Sequence, residues 1–189
     1  MDFAQTGLDK TVAYIGLIME NKTPELFHAV PLPEGYAFTP YQPGMEKDWC
    51  RIQLSVGHVD TLEQAEEIFK TEFLPFPALL EQNMVFVLAP DKSPAAVGCI
   101  WPGQHFGKRL MRLHWIAVSS EHQNKGLSKA LLSRLMERYA GCNDGNHYVY
   151  LTTQTWSYKA ISVYRHFGFT PYLGPQPVGW EQPPLLDNT

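Results

Sequence analysis

Cysteine is scarce in this chain of 189 residues: Cys50, Cys99 and Cys142 stand far apart and form no CxxC pair. That spacing argues against a disulfide framework and against a zinc cluster, and it points to a reducing, cytoplasmic setting. Cys99 lies in an apolar stretch and reads as core, whereas Cys142 lies in a turn. The 7 histidines show no HExxH or other ligand spacing, so no metal is assigned. Long hydrophobic runs are missing too. Val12 to Met19 is apolar, but it is too short to span a bilayer, follows Asp2 and Asp9, and precedes no small-residue cleavage site. No membrane association is therefore expected. Neither sign of charge dominates, since 15 Lys and Arg against 19 Asp and Glu give a net charge of -4. The basic residues are scattered, which gives an extended nucleic-acid surface little support. There is no internal repeat, no low-complexity tract and no GxGxxG, so a dinucleotide-binding unit is disfavoured.

What is present is a composition of 44% hydrophobic and 13% aromatic residues, enough for one domain with a proper core. Residues 1–34 read as an N-terminal extension with one strand over Thr11 to Met19, closed by the turn Pro31-Leu32-Pro33-Glu34-Gly35. Residues 35–173 form the main domain, and residues 174–189 a Pro-rich, irregular tail that Trp180 is placed to pin back. Within the domain, Gly35 to Tyr41 reads as a strand. Met45, Trp49, Ile52 and Val56 recur at helical spacing before Gly57, a fitting helix stop. Thr61 and Gln64 make a capping box for a second helix carrying Ala65, Ile68, Phe69 and Phe73 inward, with Pro75 and Pro77 ending it. Met84 to Leu88 and Ala95 to Trp101 read as an antiparallel pair, and Leu110 to Val118 as a further strand. A helix from Gly126 carries Leu127, Ala130, Leu131, Leu135 and Tyr139 on one stripe and closes at Gly141.

The chemistry concentrates in two strand-turn-helix segments. In the first, the strand ending at Val118 passes through Gln123-Asn124-Lys125-Gly126-Leu127-Ser128 into a helix. A helix start offers backbone N–H groups without intrahelical partners and a positive dipole end, which together suit a phosphate. Gly126 leaves that backbone approachable. A strand-turn-helix unit can equally carry one Gly and one Lys for packing and solubility. The second segment runs from Tyr148 to Phe169, again strand then helix, with Gly168 as the stop.

Together these segments resemble the GNAT superfamily of acetyl-CoA-dependent N-acetyltransferases. The family's turn signature is Gln or Arg, two residues, Gly, one residue, then Gly or Ala; here Gln123 and Gly126 match and Ser128 replaces the last small residue. The second signature, Ala-x3-Tyr-x3-Gly-Phe, is met by Ala160, Tyr164, Gly168 and Phe169, with Ser157 where most members carry Asn. The resemblance is specific over residues 84–173. It implies a mixed α/β (α+β-like) GNAT acyltransferase fold: a central, mostly antiparallel twisted sheet of about six to seven strands flanked by about four helices. It further implies acetyl-CoA as co-substrate and an amine-bearing acceptor, in a monomer or homodimer. The backbone of Gln123 to Ser128 would cup the pyrophosphate, with Lys125 or Lys129 adding charge. The backbone of Ile116, Ala117 and Val118 would run beside the pantetheine arm, with Ile116 and Val118 pairing to it, and Ser157 would stand near the cofactor. Tyr164 would serve as general acid to the CoA sulfur; its alternative is a core aromatic on the stripe of Ala160, Ile161 and Phe167.

A proton acceptor for the amine is harder to choose. Strand alternation puts Arg112, His114, Ile116 and Val118 on one face. Arg112 cannot accept a proton, whereas His114, with an ordinary pKa of about 6.5, can. A hydrogen-bonded strand histidine and a water relay stay open beside it. Phe73, Phe76, Trp115, Gln154 and Trp156 are candidate walls of an acceptor site, each also explicable as packing. The leading function is transfer of acetyl from acetyl-CoA to a primary amine of a small molecule, peptide or protein. Its rivals are a GNAT-fold module that senses acyl-CoA without turnover, and an enzyme using the same cradle for another phosphate-bearing cofactor.

Overall fold

Seven strands form one sheet in the computed structural model, which describes residues 8–142 and 148–175. They are β1 (Gly16–Asn21), β2 (Ala37–Pro40), β3 (Met84–Leu88), β4 (Pro94–Gly103), β5 (Leu110–Val118), β6 (Val149–Gln154) and β7 (Thr170–Pro171), and their spatial order is β2-β3-β4-β5-β6-β1-β7. Every pairing is antiparallel except that of β5 with β6. The described residues also form five α-helices: α1 (Glu46–Ser55), α2 (Leu62–Glu72), α3 (Pro77–Asn83), α4 (Leu127–Cys142) and α5 (Tyr158–His166).

The central strands β3 and β4 are buried along nearly their whole length, because they are rich in Val, Phe, Ile and Trp and helices cover both sheet faces. On one face Ile100, Leu113, Leu127, Leu131, Leu135 and Phe167 make a core between the sheet, α4 and the end of α5. On the other, Trp49 of α1, Phe69 of α2 and Phe73 just after it pack on Phe86, Cys99 and Trp101. Burying one such side chain contributes roughly 1.5–3 kcal/mol. The helix ends follow their sequence signals. The Thr61 hydroxyl accepts from the Gln64 N–H at 3.2 Å, and the Gln64 side chain accepts from the Asp60 N–H at 2.8 Å. After α1, Gly57 takes φ +71°; its N–H donates to Leu54 O at 3.0 Å and that of His58 to Gln53 O at 3.1 Å, a Schellman closure.

The mixed, mostly antiparallel architecture expected from the sequence is the one observed, with several local differences. The N-terminal strand occupies Gly16–Asn21, not Thr11 to Met19, and lies inside the sheet between β6 and β7. Val12 and Ile15 are exposed, so the apolar pattern overstated that strand's start. A fifth helix was not expected: Pro77, read as a terminator, opens α3, where its missing N–H costs nothing. Gly141 lies within the last turn of α4 rather than closing it, and Cys142 ends that helix instead of lying in a turn. Trp180 and most of the Pro-rich tail fall outside the described residues. Cys50 and Cys99 are free and buried.

Candidate active site

The parallel strands β5 and β6 pair only at Arg112–Tyr150 and Leu113–Leu151. Toward their C-terminal ends they diverge, while β5 stays bonded to β4 as far as Val118. One edge of β5 is thereby left without a neighbouring strand, and a strand edge of this kind is a template for an extended ligand. A cleft of about 490 Å³ opens in the gap. Ile116, Ala117 and Val118 form one wall, and Ser157 and Tyr164, from the start and body of α5, form the opposite one.

Gln123, Asn124, Gly126 and Ser128 line the mouth of the same cleft. Asn124 and Gly126 both have positive φ, +62° and +81°, and so turn the chain sharply before α4. A Cβ on Gly126 would meet no protein atom within 4 Å, so the space before the helix start is open. The N–H groups of Leu127 and Ser128 belong to the first turn of a 16-residue helix and have no intrahelical partners. With the helix dipole they favour an anion at this end. Three residues of the expected cradle do not line the cleft. Leu127 is core, Lys125 Nζ donates to Glu121 O at 3.3 Å, and Lys129 borders an adjoining hollow with Arg165 and His166. Tyr164 reaches the cleft from α5, and burial pushes its phenol up to about 12, so it is protonated at neutral pH.

β5 does not alternate as a regular strand would. Val97 pairs with Ala117 but Cys99 with His114, so β5 carries one extra residue there, and Trp115 takes φ +50°. This β-bulge reverses the side-chain parity. Arg112, His114, Trp115 and Ala117 face α1 and α2, whereas Ile116 and Val118 face α4. The single face expected for Arg112, His114, Ile116 and Val118 is thus overturned, because alternation was carried through a residue in the left-handed region.

Behind the bulge, the Glu72 carboxylate gathers three donors. His114 Nε2 lies 2.5 Å and Arg112 Nη2 3.2 Å from Oε1, and Trp115 Nε1 donates to Oε2 at 3.0 Å. Burial would raise the Glu72 pKa, but the hydrogen bonds from His114 and Trp115 and the Arg112 charge hold it below the usual value. Burial drives His114 down to about 4 against the upward pull of Glu72, with the Arg112 charge assisting the fall. The direction for the pair is an ionised Glu72 and a neutral His114 that donates from Nε2.

The expected acceptor walls do not gather in the cleft. Phe73 is fully buried among Trp49, Phe69 and Trp101. Phe76 is 55% exposed, with its ring against Trp101. Gln154 accepts from the Ser157 N–H at 2.9 Å at the start of α5, and Trp156 packs on Tyr14 and donates to Val12 O. Trp115 packs on Trp49. Three residues that sequence reasoning passed over stand in or behind the cleft wall. His58 lines the cleft beside Val56 and Ala117, and buried Gln53 joins it to the bulge. Glu72 carried a usable signal, because a carboxylate ending a helix opposes the dipole and needs a tertiary reason. His58, a polar residue after a helix stop, carried none.

Comparison with known proteins places this geometry. The model of the acetyltransferase (GNAT) family matches residues 47–169. A mycothiol acetyltransferase of Pseudarthrobacter chlorophenolicus is 29% identical over an alignment of 148 residues that covers 74% of this chain and 44% of that protein. A GCN5-related N-acetyltransferase of Sphaerobacter thermophilus superposes with a TM-score of 0.62 at 19% identity, over 85% of this chain and 49% of that one. A GNAT-family acetyltransferase of Colwellia psychrerythraea gives 0.60 at 11% identity, over 85% and 54%. The two structures share the fold, and this chain spans about half the length of these relatives or less.

Proposed function

The chain belongs to the GNAT acetyltransferase family, and from that premise we propose that it moves the acetyl group of acetyl-CoA onto a primary amine of a small molecule, peptide or protein. The observation that carries the reading is the splayed β5–β6 pair, which opens a cleft between the unpaired edge of Ile116–Val118 and Tyr164, with the start of α4 at its mouth.

The residues present fit such a co-substrate. An open cradle before α4 suits a pyrophosphate, the free strand edge suits the amide-bearing pantetheine arm, and a protonated phenol stands across the gap. When bound, acetyl-CoA would supply an activated thioester. Gln123, Asn124, Gly126 and Ser128 would hold its phosphates, with Lys125 and Lys129 adding charge beside them, and Leu127 contributing its backbone N–H. The backbone of Ile116, Ala117 and Val118 would align the arm, and a backbone N–H there would polarise the carbonyl. Tyr164 would donate its proton toward the departing sulfur. Ser157, at the start of α5, would line the far wall.

This reading takes residues 35–173 as the acetyltransferase domain, with β1 of the preceding segment added to its sheet, and keeps cytoplasmic residence in a monomer or homodimer. Among the described residues no helix is long and apolar enough to cross a membrane, and no group of His, Cys, Asp and Glu is arranged to hold a metal. Turnover is tested by incubating the protein with acetyl-CoA and a panel containing an amino sugar, a dipeptide and lysine, and following thiol release and amide formation together. Matched release of both supports transfer. Thermal stabilisation by acetyl-CoA with no thiol release on any amine would favour the sensing module instead.

A further inference from the structure

His58 is the one imidazole on the wall of the β5–β6 cleft among the described residues, and its position is fixed twice by Gln53. Its backbone N–H donates to Gln53 O at 3.1 Å in the Schellman closure of α1, and its Nδ1 lies 2.6 Å from Gln53 Oε1. The Gln53 side chain is fully buried and has a second bond, from Nε2 to the carbonyl of Trp115 in the β5 bulge, at 3.0 Å. A carbonyl only accepts, so the amide nitrogen of Gln53 must face Trp115 and its oxygen must face His58. An amide oxygen also only accepts, so Nδ1 carries the ring proton. Nε2 is then the basic nitrogen, and no described residue hydrogen-bonds it.

His58 is exposed as a residue, while its ring packs into a concave wall beside Val56 and Ala117. Lys159, from α5, shares the cleft lining, and Asp60 follows two residues along the chain. Neither is a cause of its shift: packing around the ring lowers its pKa, to about 4. His58 is therefore neutral at physiological pH and available as a base. His114, by contrast, stands outside the cleft lining with Nε2 turned to Glu72.

Resting on the acetyl-transfer reading, we propose that His58 Nε2 takes the proton of the acceptor amine, with Gln53 as the positioning residue that fixes its tautomer and ties it to the strand edge. In the balanced step, the amine lone pair forms the C–N bond to the acetyl carbon and the C–S bond breaks. The nitrogen's proton passes to His58 Nε2, and the sulfur receives the Tyr164 proton. His58 then releases its proton to water and Tyr164 regains one from it. A weakly basic imidazole suits this task, because the nitrogen becomes a far stronger acid as its bond to carbon forms than it is in the free amine.

The test uses the full chain, acetyl-CoA and whichever amine of the panel the wild type acetylates fastest. In His58→Gln and His58→Ala, acetyl-CoA affinity should stay within a few fold of wild type while the turnover number falls on the order of a hundredfold. Added imidazole should restore His58→Ala in proportion to its concentration, and should not restore His114→Ala. Turnover within threefold of wild type in both His58 variants would overturn the proposal. So would a loss that imidazole leaves unrepaired in a variant shown to be folded, or rescue of His114→Ala in its place. Failure of the wild type to bind acetyl-CoA at all would instead reject the acetyl-transfer reading on which the proposal rests.

Discussion

The Nε2 of His114 lies 2.5 Å from the Glu72 carboxylate. That contact spans the end of α2 and the middle of β5, and the same carboxylate receives Arg112 and the indole of Trp115, the residue that forms the bulge. Glu72 is thus the fixed point against which the strand edge of the cleft is set.

Glu72→Ala should accordingly lower stability by about 2–3 kcal/mol, because it leaves Arg112 partly buried without its counter-charge and two neutral donors unsatisfied. Glu72→Gln keeps an acceptor and should cost less. Denaturant unfolding of the three proteins gives the comparison, and an unchanged midpoint in Glu72→Ala would show that the cluster contributes nothing.

The two lowered histidines set the acid limb of stability. Both His58 and His114 fall to about 4 in the folded chain, below the ordinary value of 6.5. Between those values the unfolded chain binds more protons than the folded one, so stability rises with pH across that window and is lost as pH falls from about 6.5 toward 4. His114→Gln should flatten the slope more than His58→Gln, since His114 is the less exposed residue. Melting temperatures of the three proteins at several pH values measure this, and parallel curves would contradict it.

Tyr164→Phe removes the phenolic proton and keeps the ring that packs against Phe169. Acetyl-CoA affinity should be nearly unchanged while the turnover number falls on the order of a hundredfold. Equal turnover numbers for the two proteins would make Tyr164 a packing residue only.

Much of this architecture could be read from the chain because its signals are local. Thr61 with Gln64, Gly57 and Gly168 mark helix ends by side-chain bonding or by positive φ, and the strand of Leu110 to Val118 was bounded correctly by its apolar run. The cradle residues were legible because strand, turn and helix are consecutive. What escaped depends on tertiary contacts. The bulge at Trp115 is held by Gln53 and Glu72 from two different helices, so period-two alternation assigned His114 to the wrong side of the sheet. His58 is held at the cleft wall by Gln53, which is buried against that bulge. Pro77 read as a stop because a proline after a helix gives the same sequence signal whether the chain ends there or starts again.

The account's central claim is that acetyl-CoA lies along β5 in the gap left by β6, with its phosphates at the start of α4. Amide hydrogen exchange with and without saturating acetyl-CoA tests this directly. Exchange should slow at Ile116 and Val118 and across Gln123 to Ser128, and Gly126→Glu, shown to be folded, should lose that protection together with binding. Protection confined to other parts of the chain, or unchanged protection in Gly126→Glu, would contradict the claim.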